Sequence, residues 1–556
     1  MIRWVSYFFV IAICVLATSA SGQHRFREVS DSAGIHHEFK VFEGMFGGGA
    51  CVFDFNNDGF EDLYITGGMN NDRLYKNNGN GTFTDVYAGS GLELTKQFVT
   101  QGVASADVNR DGFRDLLVTT ITRRDVKLEI PRAINLLFLN NGKGGFRDVT
   151  TEYGLGDMNS FSTGASFGDI NADGWPDIYI GNYFNDYRGT LKVINDATIV
   201  ASNQTAKDYL LINENGKKYK EASAAYGVDY SGFGFGGVFT DVDNDRDQDI
   251  IVNHDFGYKR TPNLLLENKY PDKAFKDIGR SSGMNVRINS MGAAVGDYDN
   301  DGDMDYLITN IGFNNLMVNE GNGARFSNQV KKLGLNFFAI SWGANFSDFD
   351  HDGDLDLFVA NGDLNPNCKP MADFYFDNVG GKFNENAAAV GLADYGIGRG
   401  SVVFDYDKDG DEDLLVVNQV PELSYPVPSL THLYKNENVN GNWIKISLKG
   451  VQAESNGIGS RIEIEVNGKK MIREIDGGSS SHLSQNSVIA HFGLGDARLI
   501  NKITVYWTGG NEQVLTNVPV NQYIEIKELP SKKTSKFPWL FLIAGTAVLF
   551  GIGLFV

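Results

Sequence analysis

The stretch "DFNNDGFEDLYI", residues 54–65, sets carboxylates at Asp54, Asp58 and Asp62, an amide at Asn56, and an apolar run directly behind them. Oxygen side chains at positions 1, 3, 5 and 9, with a backbone carbonyl at 7, form a donor set for a hard cation. Ca2+ takes six to eight such oxygens in a flexible ring. Without a cation the same carboxylates repel one another. Gly59 at position 6 supplies the backbone angle of a sharp turn. A helix-loop-helix calcium motif needs a Glu at position 12. Position 12 here is Ile65, a β-branched residue suited to a strand. The loop is therefore predicted to be a β-hairpin turn that carries metal.

The stretch recurs as "DVNRDGFRD" (107), "DINADGWPD" (169), "DVDNDRDQD" (241), "DYDNDGDMD" (297), "DFDHDGDLD" (348) and "DYDKDGDED" (405), at intervals of 51 to 72 residues. In the later copies position 12 is Val118, Ile180, Val252, Ile308, Val359 and Val416. The candidate metal ligands are Asp54, Asn56, Asp58 and Asp62; Asp107, Asn109, Asp111 and Asp115; Asp169, Asn171, Asp173 and Asp177; Asp241, Asp243, Asp245 and Asp249; Asp297, Asp299, Asp301 and Asp305; Asp348, Asp350, Asp352 and Asp356; Asp405, Asp407, Asp409 and Asp413. Five residues before each copy stands a glycine: Gly49, Gly102, Gly164, Gly236, Gly292, Gly343 and Gly400. A small residue at one fixed point of a strand permits close backbone approach. Most copies are followed by a second hairpin, as in "LYKNNGNGTFTDV" and "LFLNNGKGGFRDV".

Four strands per repeat make one propeller blade, and periods of this size mark propellers or solenoids. The last copy has no closing "GxFxDV" strand, whereas "HRFREVSDSAGI" (24–35) supplies one at the other end of the chain. The expectation is an all-β, seven-bladed propeller over residues 24–438, with an open array of seven modules as the alternative. The repeats resemble the FG-GAP or VCBS repeats of integrin α-chain propellers and of many secreted bacterial proteins. That resemblance implies the same seven-bladed ring with Ca2+ in its hairpin loops. Up to seven ions are expected, weakest at the Asp241 loop. There Arg246 replaces glycine at position 6, and its charge is expected near the metal.

Residues 441–528 change pattern. "WIKISL", "RIEIEV", "MIREI", "ITVYW" and "YIEIKE" alternate, which predicts half-buried antiparallel strands and a small β-sandwich. "SQNS" and "HFGLG" lie in a segment that resembles the ASPIC/UnbV domain, although "WTGG" stands where that family usually has Trp-Pro-Ser-Gly. The whole arrangement is similar to the cartilage acidic protein family.

The formal charge of −21 and pI near 4.8 exclude a nucleic-acid partner, which requires a basic face. Seven divalent ions would offset about two thirds of that charge. Residues 1–22 read as a secretory signal peptide, with Arg3 before an apolar core and small residues after it. Residues 529–536 read as a linker and 537–556 as an uncharged span long enough to cross a bilayer. Lys532, Lys533 and Lys536 precede that span, against the positive-inside tendency, so the type of membrane attachment stays open. Cys51 and Cys368 are too few for a disulfide framework, and Cys51 is expected as a buried thiol. Ser479–Ser481 beside His482, and His491 on a strand, invite a hydrolase reading; a Gly/Ser-rich turn is the bland alternative. His36 and His37 invite a transition metal, with surface polarity as the alternative. No catalytic constellation stands out. The functional expectation is an exported, membrane-attached calcium-binding propeller that recognises an extracellular protein or glycan. A calcium-dependent polysaccharide lyase, with an axial face built partly from insertions 183–207 and 419–430, and a purely structural spacer are the rivals.

Overall fold

A computed structural model describes residues 25–42, 46–124, 133–159, 161–185, 204–438 and 440–529. The expected signal peptide, the 537–556 span and most of the 183–207 insertion lie outside these residues. Among the described residues no helix is long and apolar enough to cross a membrane.

Each Asp loop joins the two innermost strands of an antiparallel sheet. In the first sheet Ala50–Phe53 pairs with Asp62–Ile65, with Phe53 opposite Asp62 at the mouth of the loop. Arg73–Asn77 and Phe83–Asp85 follow outward. Seven such sheets are present among the described residues; the fourth and sixth each gain a short fifth strand, Ala206–Lys207 and Ile311–Phe313. The seventh sheet has three strands of its own, Gly398–Phe404, Asp413–Asn418 and His432–Asn436. Its fourth is Phe26–Glu28 from the beginning of the chain, with Phe26 opposite Asn436 and Glu28 opposite Tyr434. The N-terminal strand thus completes the last sheet, as the missing "GxFxDV" element predicts.

The second strands are apolar on both faces because sheets pack on both sides of them. Leu116, Leu117 and Val118 are wholly buried. One core joins Phe53, Tyr64 and Leu74 of the first sheet to Val103, Leu116 and Phe138 of the second. Another joins Val402, Phe404 and Leu415 of the seventh to Val52, Leu63 and Ile65 of the first. Sheets packed face to face and returning to the first fit a β-propeller.

The C-terminal domain has two sheets. Asn442–Lys449, Ala490–Gly495 and Gln522–Lys527 form one; Arg461–Val466, Lys469–Glu474, Leu499–Tyr506 and Glu512–Pro519 form the other. The expectation of purely antiparallel strands needs correction: Asn442–Lys449 and Gln522–Lys527 run parallel, so the chain crosses over to return beside its own first strand. Ile462, Ile464 and Val466 point inward from "RIEIEV". Their core continues without a break into Ala104, Phe167 and Leu211 of the ring, so the domain is a cap seated on the propeller.

From this cap the loop 477–487 enters the ring. Gln485 donates its amide to the Ala50 carbonyl (2.9 Å) and accepts from the Val52 amide (3.2 Å). Val103 donates to the Leu483 carbonyl, and Phe167 to that of Gly477. Ser481 meets Ser401 and Asn345, and the His482 ring lies against Phe235 and Trp342. A loop that reaches the innermost strands of so many sheets occupies the axis. It also accounts for five of the seven recurrent glycines: a Cβ on Gly49 would stand 2.0 Å from the Leu483 oxygen, and one on Gly164 2.6 Å from Ser479 Oγ, whereas Gly102 and Gly343 are crowded by the neighbouring sheet, at Thr163 and Arg399.

Candidate metal-binding loops

Each loop is drawn tight by its first aspartate. Asp54 accepts the amides of Asp58 at Oδ1 (3.1 Å) and Gly59 at Oδ2 (2.7 Å). The amide of the sixth residue goes to the first aspartate in all seven loops, from Gly59, Gly112, Gly174, Arg246, Gly302, Gly353 and Gly410. The sixth residue has positive φ throughout, as the glycine pattern predicts. The fourth residue does so as well: Asn57, Arg110, Ala172, Asn244, Asn300, His351 and Lys408 lie at +53° to +64°. No glycine marks that position, and the sequence reading does not find it. The bend costs each of these side chains roughly 1–2 kcal/mol, which the amides converging on the first aspartate offset.

The ninth aspartate has a second task. Asp62 accepts the Phe55 amide at Oδ2 and the Asn77 amide at Oδ1. Asn77, at the end of the third strand, then donates Nδ2 to the Tyr406 carbonyl of the preceding sheet (2.7 Å). The relay recurs: Asn140 reaches Phe55, Asn213 Val108, Asn268 Ile170, Asn319 Val242, Asn378 Tyr298 and Asn436 Phe349. Each sheet is tied to the one before it, and the first is tied to the seventh. These seven asparagines are missed in the sequence reading. Their signal is an Asn in register at the end of "LYKN", "LFLN", "LLIN", "LLEN", "LMVN", "FYFDN" and "LYKN".

The carboxylates converge. In the fourth to seventh loops, Asp241, Asp243 and Asp249; Asp297, Asp299 and Asp305; Asp348, Asp350 and Asp352; and Asp405, Asp407 and Asp413 each bring oxygens within 4.8 Å of one another. In the first three loops the third position is Asn56, Asn109 or Asn171, whose oxygen accepts the amide two residues on. Burial first, and then repulsion from neighbouring carboxylates, pushes Asp62 up to about 8, Asp169, Asp297 and Asp350 to about 7, and Asp241 and Asp243 to about 6. A nearby divalent cation reverses that balance. Asp348 Oδ1 and Asp405 Oδ1 have no hydrogen-bond partner although both residues are buried. All-oxygen donors, close spacing and orphaned buried oxygens fit Ca2+.

In the fourth loop the expectation for Arg246 needs correction. Its backbone bends at φ +76°, but its guanidinium is held by the cap, 4.6 Å from the centre of the Tyr506 ring and 3.4 Å from Glu512. The cap touches every loop. Ser487 binds Glu61 beside the first; Arg110 and Gly174 of the second and third meet the 451–453 carbonyl run. Arg461 reaches Asn244 and the Gly302 carbonyl, Lys469 reaches Asp354, and Tyr523 donates to Asp405.

The other candidates resolve differently. Ser479, Ser480 and Ser481 bond Ala165, Asp476 and Ser401, not His482. Buried His482 is held down at about 3, so this is a structural turn and not a nucleophile–base pair. His37 is buried, with Nδ1 2.7 Å from Thr431 and Nε2 3.0 Å from the Thr66 carbonyl, which corrects the surface reading and leaves no nitrogen for a metal. His36 is exposed beside Asp31. His491 is buried, 3.7 Å from Glu412 and beside His351. Cys51 and Cys368 are free thiols, and burial raises Cys51 to about 11.

Residues 54–118, 130–180, 297–359 and 348–416 match the FG-GAP-like repeat, and residues 450–533 match the ASPIC and UnbV domain. The Asp241 loop lies between the matched repeat segments. The chain is 26% identical over 434 residues to cartilage acidic protein 1 of Xenopus tropicalis, covering 74% of this chain and 61% of that one. It is 26% identical over 302 residues to the human protein of that name, covering 50% and 42%. Among solved structures, an Agrocybe aegerita lectin aligns at TM-score 0.37 and 15% identity, over 72% of this chain and 96% of the lectin. A Bacillus licheniformis rhamnogalacturonan lyase aligns at 0.34 and 11%, over 88% and 92%. Likenesses at such scores carry no argument about what this chain binds.

Proposed function

We propose that this chain, which joins FG-GAP-like repeats to an ASPIC and UnbV domain, is an extracellular recognition and adhesion module built on a closed, Ca2+-loaded, seven-bladed ring. The orphaned, buried oxygens among converging carboxylates carry the reading. In each loop the ligands are the residues at positions 1, 3, 5 and 9, from Asp54, Asn56, Asp58 and Asp62 in the first to Asp405, Asp407, Asp409 and Asp413 in the seventh. The ion's role is structural: it relieves repulsion and holds hairpins that carry two left-handed residues each. The cap covers the loop face and fills the axis, so the opposite face and the outer rim present the contact for a protein or glycan. Export through residues 1–22 and membrane attachment through 537–556 rest on the sequence alone; a version ending at residue 529 should be released into the medium, whereas the full chain sediments with membranes.

Purified protein is measured for bound calcium, melted with and without chelator, and used to capture extracellular proteins and glycans in both conditions. Bound calcium, a lower melting temperature in chelator and calcium-dependent capture support the reading. Identical melting with no bound calcium overturns it. Cleavage of a polysaccharide in the same assay would favour the lyase alternative.

A further inference from the structure

The seventh loop differs from the others in what already touches its carboxylates. Lys445 of the cap, 2% exposed at its side chain, sits 2.7 Å from Glu412 and 3.5 Å from Asp405 Oδ2. Tyr523, also of the cap, donates to that same oxygen, as does the Gly410 amide. From the ring itself Lys435 reaches Asp407 and stands 2.9 Å from Asp409. Three of the four carboxylates of this loop are therefore held by ammonium groups of the protein. In the fifth and sixth loops no lysine or arginine pairs with a carboxylate at positions 1, 3, 5 or 9 among the described residues; Lys469 pairs there with Asp354, at position 7. In the first loop one half-exposed lysine, Lys76, stands 3.4 Å from Asp58. Yet the seventh loop is not filled. Asp405, Asp407 and Asp413 converge within 4.8 Å, and Asp405 Oδ1 and Asp407 Oδ1 are buried without a hydrogen-bond partner. One oxygen of Asp405 is spoken for by the cap and the other is left over.

We propose that the seventh loop is a Ca2+ site regulated by the cap, in which Lys445 and the ion compete for Asp405, so that this loop, and not the Asp241 loop, is the last of the seven to load. The proposal rests on the calcium reading of the other loops. A dication placed among these oxygens is repelled by the two ammonium groups and shares its ligands with them. Binding linkage makes the opposition reciprocal: whatever factor the docked cap removes from the affinity of this loop, the ion removes from the docking of the cap. At the fourth loop the extra cation, Arg246, is instead drawn onto Tyr506 and Glu512.

Trp443 and Tyr523 flank the seventh loop: a Cβ on Gly410 would lie 2.0 Å from the Trp443 ring, and Tyr523 bonds Asp405 directly. They can therefore sensitise terbium luminescence there. Trp175 lies within the third loop and Trp507 lines the cavity at Asp241 of the fourth, so both are replaced by Phe, and excitation at the red edge of the tryptophan band keeps Tyr298, which bonds Asp299 of the fifth loop, silent. The full chain carrying Trp175→Phe and Trp507→Phe is titrated with terbium, and total calcium uptake is measured in parallel. The expected result is that the Trp443-sensitised signal rises only after most uptake is complete. Asp407→Asn should remove that late phase alone. Lys445→Met combined with Glu412→Gln, which removes both members of the buried pair, should tighten the phase at least about tenfold. Lys435→Ala, at the rim of the loop, should move it the same way without touching the buried pair. A signal that rises with the first equivalents, or one that neither set of lysine variants moves, overturns the proposal. Failure of the calcium reading itself is distinguishable: Asp350→Asn in the sixth loop would then leave total uptake unchanged.

Discussion

Closure of the ring can be tested at one amide. Asn77 is 1% exposed; its Nδ2 donates to Tyr406 (2.7 Å) and Glu61 (3.1 Å), and its Oδ1 accepts from Gly79. Asn268 does the same work inside the array, donating to Ile170 (2.9 Å) and Gln248 (3.2 Å) and accepting from Tyr270. Replacing either by Ala keeps the backbone amide on its aspartate but strands two buried carbonyls. Net hydrogen bonds of about 0.5–1.5 kcal/mol, with about 1–3 kcal/mol for a buried group left unsatisfied, put the cost at roughly 2–4 kcal/mol. At about 2.1 cal/mol/K per residue, some five hundred residues unfolding together have an entropy near 1 kcal/mol/K, so the melting temperature should fall by about 2–4 °C. Calorimetry in saturating calcium resolves such a shift. In a closed ring Asn77→Ala and Asn268→Ala cost the same, and together they add, being distant. An Asn77→Ala protein within about 0.5 kcal/mol of the parent, beside a damaged Asn268→Ala protein, would refute the closed ring, because only the seam between the seventh and first sheets would then be dispensable.

Three further outcomes are expected. Calcium at a hundredfold over its dissociation constant should stabilise by about 2.7 kcal/mol per site, so chelation should lower the melting temperature and readdition restore it. Burial holds His37 and His482 neutral, at about 3 against an ordinary 6.5. Between those values the unfolded chain takes protons that the folded chain refuses, so the share of stability owed to these two histidines is complete above pH 6.5 and is lost as the pH drops towards 3; the raised loop carboxylates act in the opposite direction, which makes the difference between variant and parent the readout. Urea titrations from pH 6.5 to 4.5 should show His482→Gln losing up to about 1.4 kcal/mol per pH unit less than the parent. Gly49→Ala should push the Leu483 carbonyl aside, at about 1–3 kcal/mol, and speed hydrogen exchange at the Val103 amide, which donates to that carbonyl.

The periodic loops announce the sheets because metal-type spacing, a turn glycine and an apolar strand coincide within each repeat. The displaced "FREV" strand is legible because one repeat lacks what all the others have. The plug is half legible. Gly49, Gly164, Gly236, Gly292 and Gly400 mark a close approach, but nothing local to "GGSSSHLSQNS" says that it is the approaching segment, since contacts across some 430 residues leave no periodic trace. The asparagine relay is written in register yet looks like ordinary turn chemistry next to Asn-Gly. The fate of Arg246 depends on Tyr506 and Glu512, which belong to another domain.

The strand Phe26–Glu28 and its partner His432–Asn436 lie side by side in one sheet yet far apart along the chain, and Arg27 pairs with a glutamate 410 positions away. At about 5–20 residues per second, a ribosome finishes the partner roughly 20–80 s after the first strand emerges. For that interval an unpaired strand edge is exposed. The last sheet must therefore recruit the oldest segment of the chain, and a neighbouring nascent copy offering the same "FREV" edge is its natural competitor, which makes exchange of this strand between molecules the characteristic error of biogenesis for such an architecture.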